Sequence, residues 1–351
     1  MSPPDSVVDS SVEDYRGFYR DRRVMVTGGM GFVGSNLARQ LVDVGAKVLI
    51  VDSMIPDYGG NAFNLSGLEE KVRINIADVR QRSTMNHLVR EVDVIFNLAG
   101  QVSHIDSMQD PDTDLDINCR AQLSLLEACR HHNPGIKVVF AGTRQVYGRP
   151  DSLPVGEGHL VRPTDVNGIN KAAGENYHIV YNNVFGVRAC SLRLTNVYGP
   201  RQLLKHNRQG FIGWFIRLAI ENQEIQIYGN GEQIRDFVFV DDAADAFLRA
   251  GASDKCNGKV FNVGGAEPIS HRALVDLLIA TAGSGRYRLV EWPAEKKVID
   301  IGDFYADSSR LAATVGWRAR TPLATGLART LAFYREHMEH YVPAASQVGA
   351  R

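Results

Sequence analysis

The chain has 351 residues, 44% of them hydrophobic, enough to fill the core of one α/β unit with a lobe added. Its formal net charge is −1, so no basic excess drives binding to nucleic acid or to an acidic membrane surface. No apolar stretch approaches the length of a membrane span. The four cysteines, Cys119, Cys129, Cys190 and Cys256, form no CxxC pair and read as reduced thiols of a cytoplasmic protein.

Residues 1–22 are polar, carry Pro3 and Pro4, and lack the apolar core of a signal peptide. They read as a flexible leader, with helix near Val12 to Arg20. Val24–Val26 then feeds a glycine-rich turn, Thr27-Gly28-Gly29-Met30-Gly31-Phe32-Val33-Gly34, and an amphipathic stretch follows from Ser35 to Val44. The pattern is strand, turn, helix. Gly28 permits the tight turn, Gly31 lets a pyrophosphate approach the backbone, and Gly34 lets helix and strand pack closely. The anion would rest on the free N–H groups where the helix starts, at Phe32 and Val33. The next apolar run, Val48–Val51, ends in Asp52. An acid there accepts hydrogen bonds from an adenosine ribose and repels a 2′-phosphate, which favours NAD over NADP.

Further apolar runs at Arg73–Ile76, Val92–Leu98, Lys137–Ala141 and Ala189–Leu194 alternate with helix-like stretches. That alternation predicts a Rossmann-type, doubly wound parallel sheet. Its strand ends carry Asp52, Asp78, Leu98-Ala99-Gly100, Thr143 and Thr195-Asn196, which should line one crevice. After Gly199 the rhythm changes. We read a helix over Gly210–Ala219, strands at Ile225–Tyr228 and Asp236–Val240, and a helix over Asp241–Arg249 capped by Asp241. Lys259–Val263 rejoins the main sheet, Ile269–Ala282 is a helix, Arg286–Glu291 a strand, and Leu323–His337 a closing helix. The organisation is a Rossmann domain at 23–199, rejoined by about 236–265. A smaller, discontinuous α/β substrate-binding lobe comes from 200–235 and 266–340, with a flexible tail at 341–351. No cluster has zinc-ligand spacing, so no metal is expected, and His131-His132 before Asn133-Pro134 marks a helix end.

At this point the chain resembles the extended short-chain dehydrogenase/reductase family of nucleotide-sugar epimerases, dehydratases and decarboxylases. The residues that carry the resemblance run from Arg23 to about Tyr334. They are Thr27 to Gly34, Asn97-Leu98-Ala99-Gly100, Asn118, Thr143 with Val146-Tyr147-Gly148, Lys171, Arg193 with Asn196 to Arg201, and Arg235-Asp236-Phe237 with Val240-Asp241-Asp242. The resemblance implies roles. Asp78 and Val79 would contact the adenine, and Leu98, Ala99, Gly100 and Asn118 would lie against NAD. Thr143 matches the hydroxyl that binds the sugar oxygen being oxidised. Lys171 matches the lysine that holds the nicotinamide ribose, and Arg235 the arginine on the nucleotide diphosphate. The family also implies a nucleotide-diphosphate sugar as substrate, and a homodimer formed through helices near Gln122–Arg130 and Lys171–Val180.

One departure matters. The family's acid–base tyrosine lies four residues before the lysine, where this chain has Asn167. An amide has no usable pKa near neutrality and cannot deprotonate a sugar hydroxyl. Three readings compete. Asn167 orients sugar or water while another group takes the proton, or the reaction is a variant needing no tyrosine, or the protein binds without turnover. His104, in the loop after Ala99–Ser103, is a candidate replacement, because histidine as a residue type suits proton transfer near neutral pH, with Asp106 close enough in sequence to orient it. A surface histidine is the competing reading. Asp165 reads first as the N-cap of the helix carrying Lys171.

Arg144 and Gln145 stand where family 4,6-dehydratases place Asp-Glu and decarboxylases a glutamate, which disfavours both ordinary reactions. Arg144 is a candidate anchor for an anionic or polyhydroxylated sugar, against the alternative of a surface arginine paired with an acid. Gln145, Asn196, Arg201 and Arg235 complete the expected substrate contacts. The loop Lys205 to Gln209 either clasps the diphosphate or is solvated, and Glu295-Lys296-Lys297 reads as a solvated charge run. Tyr147, Tyr198 and Cys190 read as packing residues. The expected reaction is epimerisation by transient oxidation at C4, although the Leu98-Ala99-Gly100-Gln101-Val102 loop also resembles that of epimerases that invert C2, which leaves the oxidised carbon open. The alternatives are a variant dehydratase or oxidase, and a non-catalytic NAD and nucleotide-sugar binder.

Overall fold

The computed structural model describes residues 15–342. A short helix α1 (Tyr15–Tyr19) leads into β1 (Arg23–Thr27), α2 (Phe32–Asp43), β2 (Lys47–Asp52) and β3 (Val72–Ile76). Then come α3 (Arg82–Leu88), β4 (Val94–Asn97), α4 (His104–Gln109), α5 (Pro111–Leu115) and α6 (Ala121–His132). The first half ends with β5 (Lys137–Thr143), α7 (Val166–Phe185) and β6 (Arg188–Leu194). The second half holds β7 (Asn196–Tyr198), α8 (Phe211–Ile220), β8 (Glu224–Tyr228), β9 (Ile234–Phe239), α9 (Val240–Ala252) and β10 (Val260–Val263). It closes with β11 (Pro268–Ser270), α10 (His271–Ala282), β12 (Arg286–Val290), α11 (Ala294–Ile299), α12 (Ser309–Val315) and α13 (Leu323–His337).

Seven strands form the main sheet in the order β10-β6-β5-β4-β1-β2-β3, and every neighbouring pair is parallel. This is the doubly wound Rossmann-type sheet that the strand–helix alternation predicts. The order reverses between β1 and β4, so a crevice opens at their carboxyl ends. Side chains alternate along β1. Val24 and Val26 join Leu37, Leu41, Phe96 and Phe247 under α2 and α9. Met25 joins Val51, Ile95, Leu125, Val138 and Tyr181 on the other face. Both faces are covered, which is why the central strands read as unbroken apolar runs.

The lobe has its own core, including Tyr198, Phe215, Ile227, Phe239, Leu274 and Leu331. It carries a three-stranded sheet β11-β9-β7 and a parallel pair, β12 with β8. Asp236–Phe239 therefore belongs to the small sheet, and the return to the Rossmann layer is made by α9 and β10.

The structure corrects several local expectations. Residues 15–22 are not a loose leader: Tyr19 is fully buried and donates its hydroxyl to the Leu248 carbonyl over 2.6 Å. Val12, Glu13 and Asp14 lie outside the described residues. Asp241 does not cap α9. The N-cap position is Phe239, in extended conformation with no side-chain cap, and Asp241 pairs with Arg329 at 2.7 Å. α10 starts at His271 because Ser270 Oγ accepts the Ala273 N–H at 3.2 Å. At the other end, Tyr341 is buried and donates to Asn64 Oδ1 at 2.7 Å, so the chain is docked there. Residues 343–351 lie outside the described part.

Candidate active site

The glycine turn behaves as its spacing predicts. Gly28 has φ +67°, in the left-handed region that favours glycine. A Cβ on Gly34 would lie 2.2 Å from the Gly28 carbonyl oxygen, so only glycine lets α2 come this close to β1. The N-cap position of α2 is Gly31, without a side-chain cap. The first N–H groups of a 12-residue helix thus face the crevice uncapped by any side chain, a cradle for an anion. The crevice is lined by Gly28, Gly31, Phe32, Val33, Asp52, Asp78, Val79, Leu98, Ala99 and Gly100. Asp52 accepts the N–H groups of Met30 (2.9 Å) and Met54 (2.8 Å). Burial pushes its carboxyl up against those two bonds, with the net shift upward. Asp78 is clamped by Arg80 at 2.7 Å yet keeps its place on the crevice.

Asn118 and Lys171 stand behind Gly100 rather than on the crevice wall. A Cβ at Gly100 would meet Lys171 Nζ at 2.7 Å and Asn118 Oδ1 at 2.9 Å. Asn118 Oδ1 is itself buried without a hydrogen-bond partner. An open glycine backbone, an uncapped helix start and an orphaned acceptor together fit a dinucleotide. Lys171 is buried, and its Nζ reaches the Ala141 carbonyl at 3.3 Å. Burial pushes its ammonium down to about 8, while Asp114 opposes that fall.

Asp114 is a residue that the sequence reading missed. It has no exposed surface and accepts from three asparagines: Asn118 (3.0 Å), Asn167 (3.0 Å) and Asn170 (2.8 Å). Asn167 is 2% exposed. Its Nδ2 also donates to the Gln101 carbonyl at 2.8 Å, and Asn118 Nδ2 reaches the same oxygen at 2.9 Å. The two amides bridge one carbonyl and one carboxylate. Both hydrogens of the Asn167 amide are thus spent on protein partners, which corrects the expectation that this side chain could donate to the substrate.

A second cavity, of about 550 Å³, lies beside the crevice. His104, Arg144 and Gln145 line it from the Rossmann side, and Trp214, Tyr228, Arg235, His271, Trp292 and Lys296 from the lobe. Arg144 is no surface arginine. Its Nη2 donates to Asn196 Oδ1 at 3.1 Å, and its Nη1 is buried with no hydrogen-bond partner. Burial pushes its guanidinium down, against Asp236, Asp300 and Asp165. Arg235 is brought down to about 9 by burial and by Arg144, against Asp300. His271 is brought to about 3 by burial, Arg235 and Arg144, and stays neutral. This end of the cavity is cationic and suits an anion.

Other expectations divide. Asn196 is committed to Arg144 and to the Asp236 carbonyl, so it positions Arg144 and is not on the cavity wall. Arg201 is not in the cavity: at φ +74° its chain turns away, and its guanidinium bonds Asn36 Oδ1 at 2.9 Å and covers Phe333. Lys296 is no free surface charge, since it donates to the Tyr228 hydroxyl at 2.9 Å in the cavity. Thr143 ends β5, and its Oγ1 accepts the Gln145 N–H at 3.2 Å. Tyr147, Tyr198 and Cys190 are buried in cores.

His104 opens α4 and has Nδ1 2.9 Å from Asp165 Oδ2. Asp106 does not orient it: that carboxylate pairs with Arg208 at 3.0 Å. Asp165 is the N-cap of α7, accepting the Gly168 N–H at 2.7 Å, and it also accepts Gln145 Nε2 at 2.8 Å. Burial pushes the Asp165 carboxyl up, but His104, the Gly168 amide and Gln145 outweigh it and hold it below its ordinary value.

A parallel doubly wound sheet, a glycine-rich crevice and an adjoining cationic cavity define a dinucleotide-dependent enzyme with a small-molecule substrate. The chain belongs to the NAD dependent epimerase/dehydratase family, which matches residues 24–264. It is 32% identical over 318 residues to a UDP-glucose 4-epimerase of Mycolicibacterium smegmatis, covering 89% of this chain and 98% of that one. It is 29% identical over 334 residues to a dTDP-glucose 4,6-dehydratase of Streptomyces griseus, covering 92% and 98%. Among solved structures, a Thermus thermophilus UDP-glucose 4-epimerase in complex with NAD superposes with TM-score 0.80 at 29% identity, covering 90% of this chain and 99% of that one. NAD is the cofactor of the family and the group that the crevice fits.

Proposed function

We propose that the protein epimerises a nucleotide-diphosphate sugar by transient oxidation, at C4, and reduction from the other face. The observation that carries this reading is the meeting of two sites around β5 and α7. The glycine crevice opens at the ends of β1 and β4, the cationic cavity takes Arg144 and Gln145 from just after β5, and Lys171 reaches from α7 to the Ala141 carbonyl of β5, behind Gly100 of the crevice. NAD, when bound, supplies the acceptor and donor of hydride. Arg235, with Arg144 beside it, would bind the substrate's anionic part, and Trp214, Tyr228 and Trp292 offer flat apolar walls. Thr143 Oγ1 would hold the reacting sugar oxygen. The Lys171 ammonium would fix the nicotinamide ribose and stabilise negative charge developing on that oxygen. Arg144 and Gln145 carry no acid for ordinary dehydration, which supports the epimerase reading over the dehydratase one.

We further assign a homodimer formed through α6 and α7, and a cytoplasmic setting. Ile169, Val180 and Val184 leave apolar surface exposed on α7, and all four cysteines are free thiols. Among the described residues no helix is long and apolar enough to cross a membrane.

The test is mass spectrometry and proton NMR of the protein incubated with NAD and a panel of nucleotide sugars in heavy water. Epimerisation by hydride return gives an isomer of unchanged composition without deuterium on carbon. Loss of water or carbon dioxide would replace this reading with a variant lyase. Binding without any conversion would leave a non-catalytic nucleotide-sugar binder.

A further inference from the structure

We propose that the His104–Asp165 pair is the acid–base group of this site, taking over the proton transfer that Asn167 cannot perform. The proposal rests on the reading of the cavity as the place where a sugar hydroxyl is oxidised.

A hydroxyl whose carbon loses hydride must also lose a proton, and near neutrality that requires a base within hydrogen-bond reach. The Asn167 amide has no such capacity, and its hydrogens are committed to Gln101 and Asp114. Among the described residues lining the cavity there are two imidazoles, His104 and His271. Burial and the charges of Arg235 and Arg144 bring His271 down to about 3, too weak a base for this proton. The Tyr228 hydroxyl, on the lobe wall, is tied to Lys296, Glu224 pairs with Arg288, and Asp300 faces Arg235. That leaves His104, on the Rossmann wall with Arg144 and Gln145, its side chain 35% exposed.

The pair is built rather than incidental. The Asp165 side chain has no exposed surface. One oxygen is fixed by the Gly168 N–H and the other by Gln145 Nε2, so the carboxylate cannot turn away. It faces His104 Nδ1 and leaves Nε2 free for substrate. His104 Nδ1 stands 2.9 Å from the carboxylate without the alignment of a full hydrogen bond, and catalytic hydrogen bonds are often poorly aligned without substrate. The loop that presents the histidine is clamped from α7. The Asn167 N–H donates to Ser107 Oγ at 3.2 Å, and Ser107 Oγ donates to the His104 carbonyl at 2.8 Å. The Asn167 side chain holds Gln101 three residues upstream. The residue that replaces the tyrosine thus also secures the segment carrying the histidine.

In the step, the hydroxyl O–H bond breaks and an N–H bond forms at His104 Nε2. The oxygen's freed pair would become the second bond of the carbonyl, and the C–H pair would leave as hydride to the oxidised dinucleotide when that is bound. On return the imidazolium gives the proton back to the alkoxide oxygen. Asp165 is a positioning residue that fixes the tautomer and favours the imidazolium. The charged groups around the histidine are Asp165 from α7, Arg144 from the end of β5, and the Arg208–Asp106 pair at the lobe edge.

The experiment compares the wild type, His104→Gln, His104→Ala and Asp165→Asn, each loaded with NAD, on the nucleotide sugar that the wild type converts. Asparagine also caps helices, so Asp165→Asn keeps the start of α7. We expect His104→Gln to lose kcat by ~100-fold or more, within the usual range for a general base, with NAD content and melting temperature unchanged. Imidazole should partly restore His104→Ala. Asp165→Asn should move the acidic limb of kcat/KM to lower pH, because an anion beside the imidazole is gone. In histidine-labelled NMR spectra, the Nδ1–H tautomer of His104 should be lost in the same variant. A His104→Gln enzyme within about threefold of wild type, where a general base is worth far more, overturns the dyad and leaves the epimerase reading standing. So does an acidic limb unmoved in Asp165→Asn. A wild type that converts no sugar overturns the functional reading, and the dyad's role with it.

Discussion

Asn167 Nδ2 lies 2.8 Å from the carbonyl oxygen of Gln101, joining the helix that carries Lys171 to the loop between the two cavities. The position belongs to the protein's interior, not to its solvent. Asn167→Ala leaves the Gln101 carbonyl and Asp114 each one donor short. The expected loss of stability is about 1–3 kcal/mol, the cost of unsatisfied buried groups. Asn167→Tyr should not create a better enzyme. The site is 2% exposed, and a ring there costs about 1–3 kcal/mol by overpacking while removing the same two bonds. Denaturant midpoints and kcat of both variants test this. A tyrosine variant that is both stable and more active than wild type would show that a tyrosine at this position can reach the substrate and that the tether is dispensable.

Gly34→Ala is expected to damage cofactor binding and fold together. The new Cβ would sit 2.2 Å from the Gly28 carbonyl oxygen, and no side chain can move to relieve a clash with backbone. α2 must retreat from β1, carrying its uncapped N–H groups away from the crevice. NAD retained on purification and the melting temperature should both fall. Full NAD content at wild-type stability would refute the claim that this close approach builds the crevice.

These two cases mark what the sequence could disclose. The glycine turn was legible because its geometry is local: strand, left-handed Gly28, uncapped helix start and Asp52 follow within one strand–helix–strand unit. The parallel sheet was legible from its apolar runs. The His104–Asp165 contact was not, since it joins a loop after β4 to the cap of α7. Proximity in sequence pointed to Asp106 instead. On a helix, residues two apart do not face each other, and Asp106 turns to Arg208. Asp114 was invisible for the same reason: only the fold brings Asn118, Asn167 and Asn170 around it. Arg201 looked like part of a binding block, and one positive φ sends it elsewhere.

Arg144→Met should separate substrate binding from cofactor binding. The buried Nη1 without a partner is a donor waiting for an acceptor, and charge-assisted bonds to anions are the strong ones. We expect KM for the nucleotide sugar to rise by ~10-fold or more, since hydrogen bonds to charged groups are worth about 1.5–3 kcal/mol. NAD content should be unchanged, because Arg144 lines the cavity and not the crevice. Asn196→Ala, which frees the guanidinium, should give a milder version of the same defect. An unchanged KM in Arg144→Met would remove this arginine from the substrate site.

Lys171 makes opposite predictions for catalysis and stability over one pH window. Its folded value is about 8 against an ordinary 10.5, because burial disfavours the charged form. Above pH 8 the folded protein has lost a proton that the unfolded chain still holds. The unfolded state then binds more protons, so this group makes stability rise with pH between about 8 and 10.5. Over the same range the positive charge that would stabilise the alkoxide disappears, and kcat should fall. Lys171→Met should remove this contribution, so that the stability of wild type relative to the variant rises between about pH 8 and 10.5, and should leave little activity at any pH. Asp114→Asn removes the anion that favours the ammonium, so its alkaline limb should begin at lower pH than in wild type. Parallel pH series of denaturant unfolding and of kcat would check the pair of trends. If the stability of wild type relative to Lys171→Met does not rise above pH 8, the alkaline limb does not belong to this lysine.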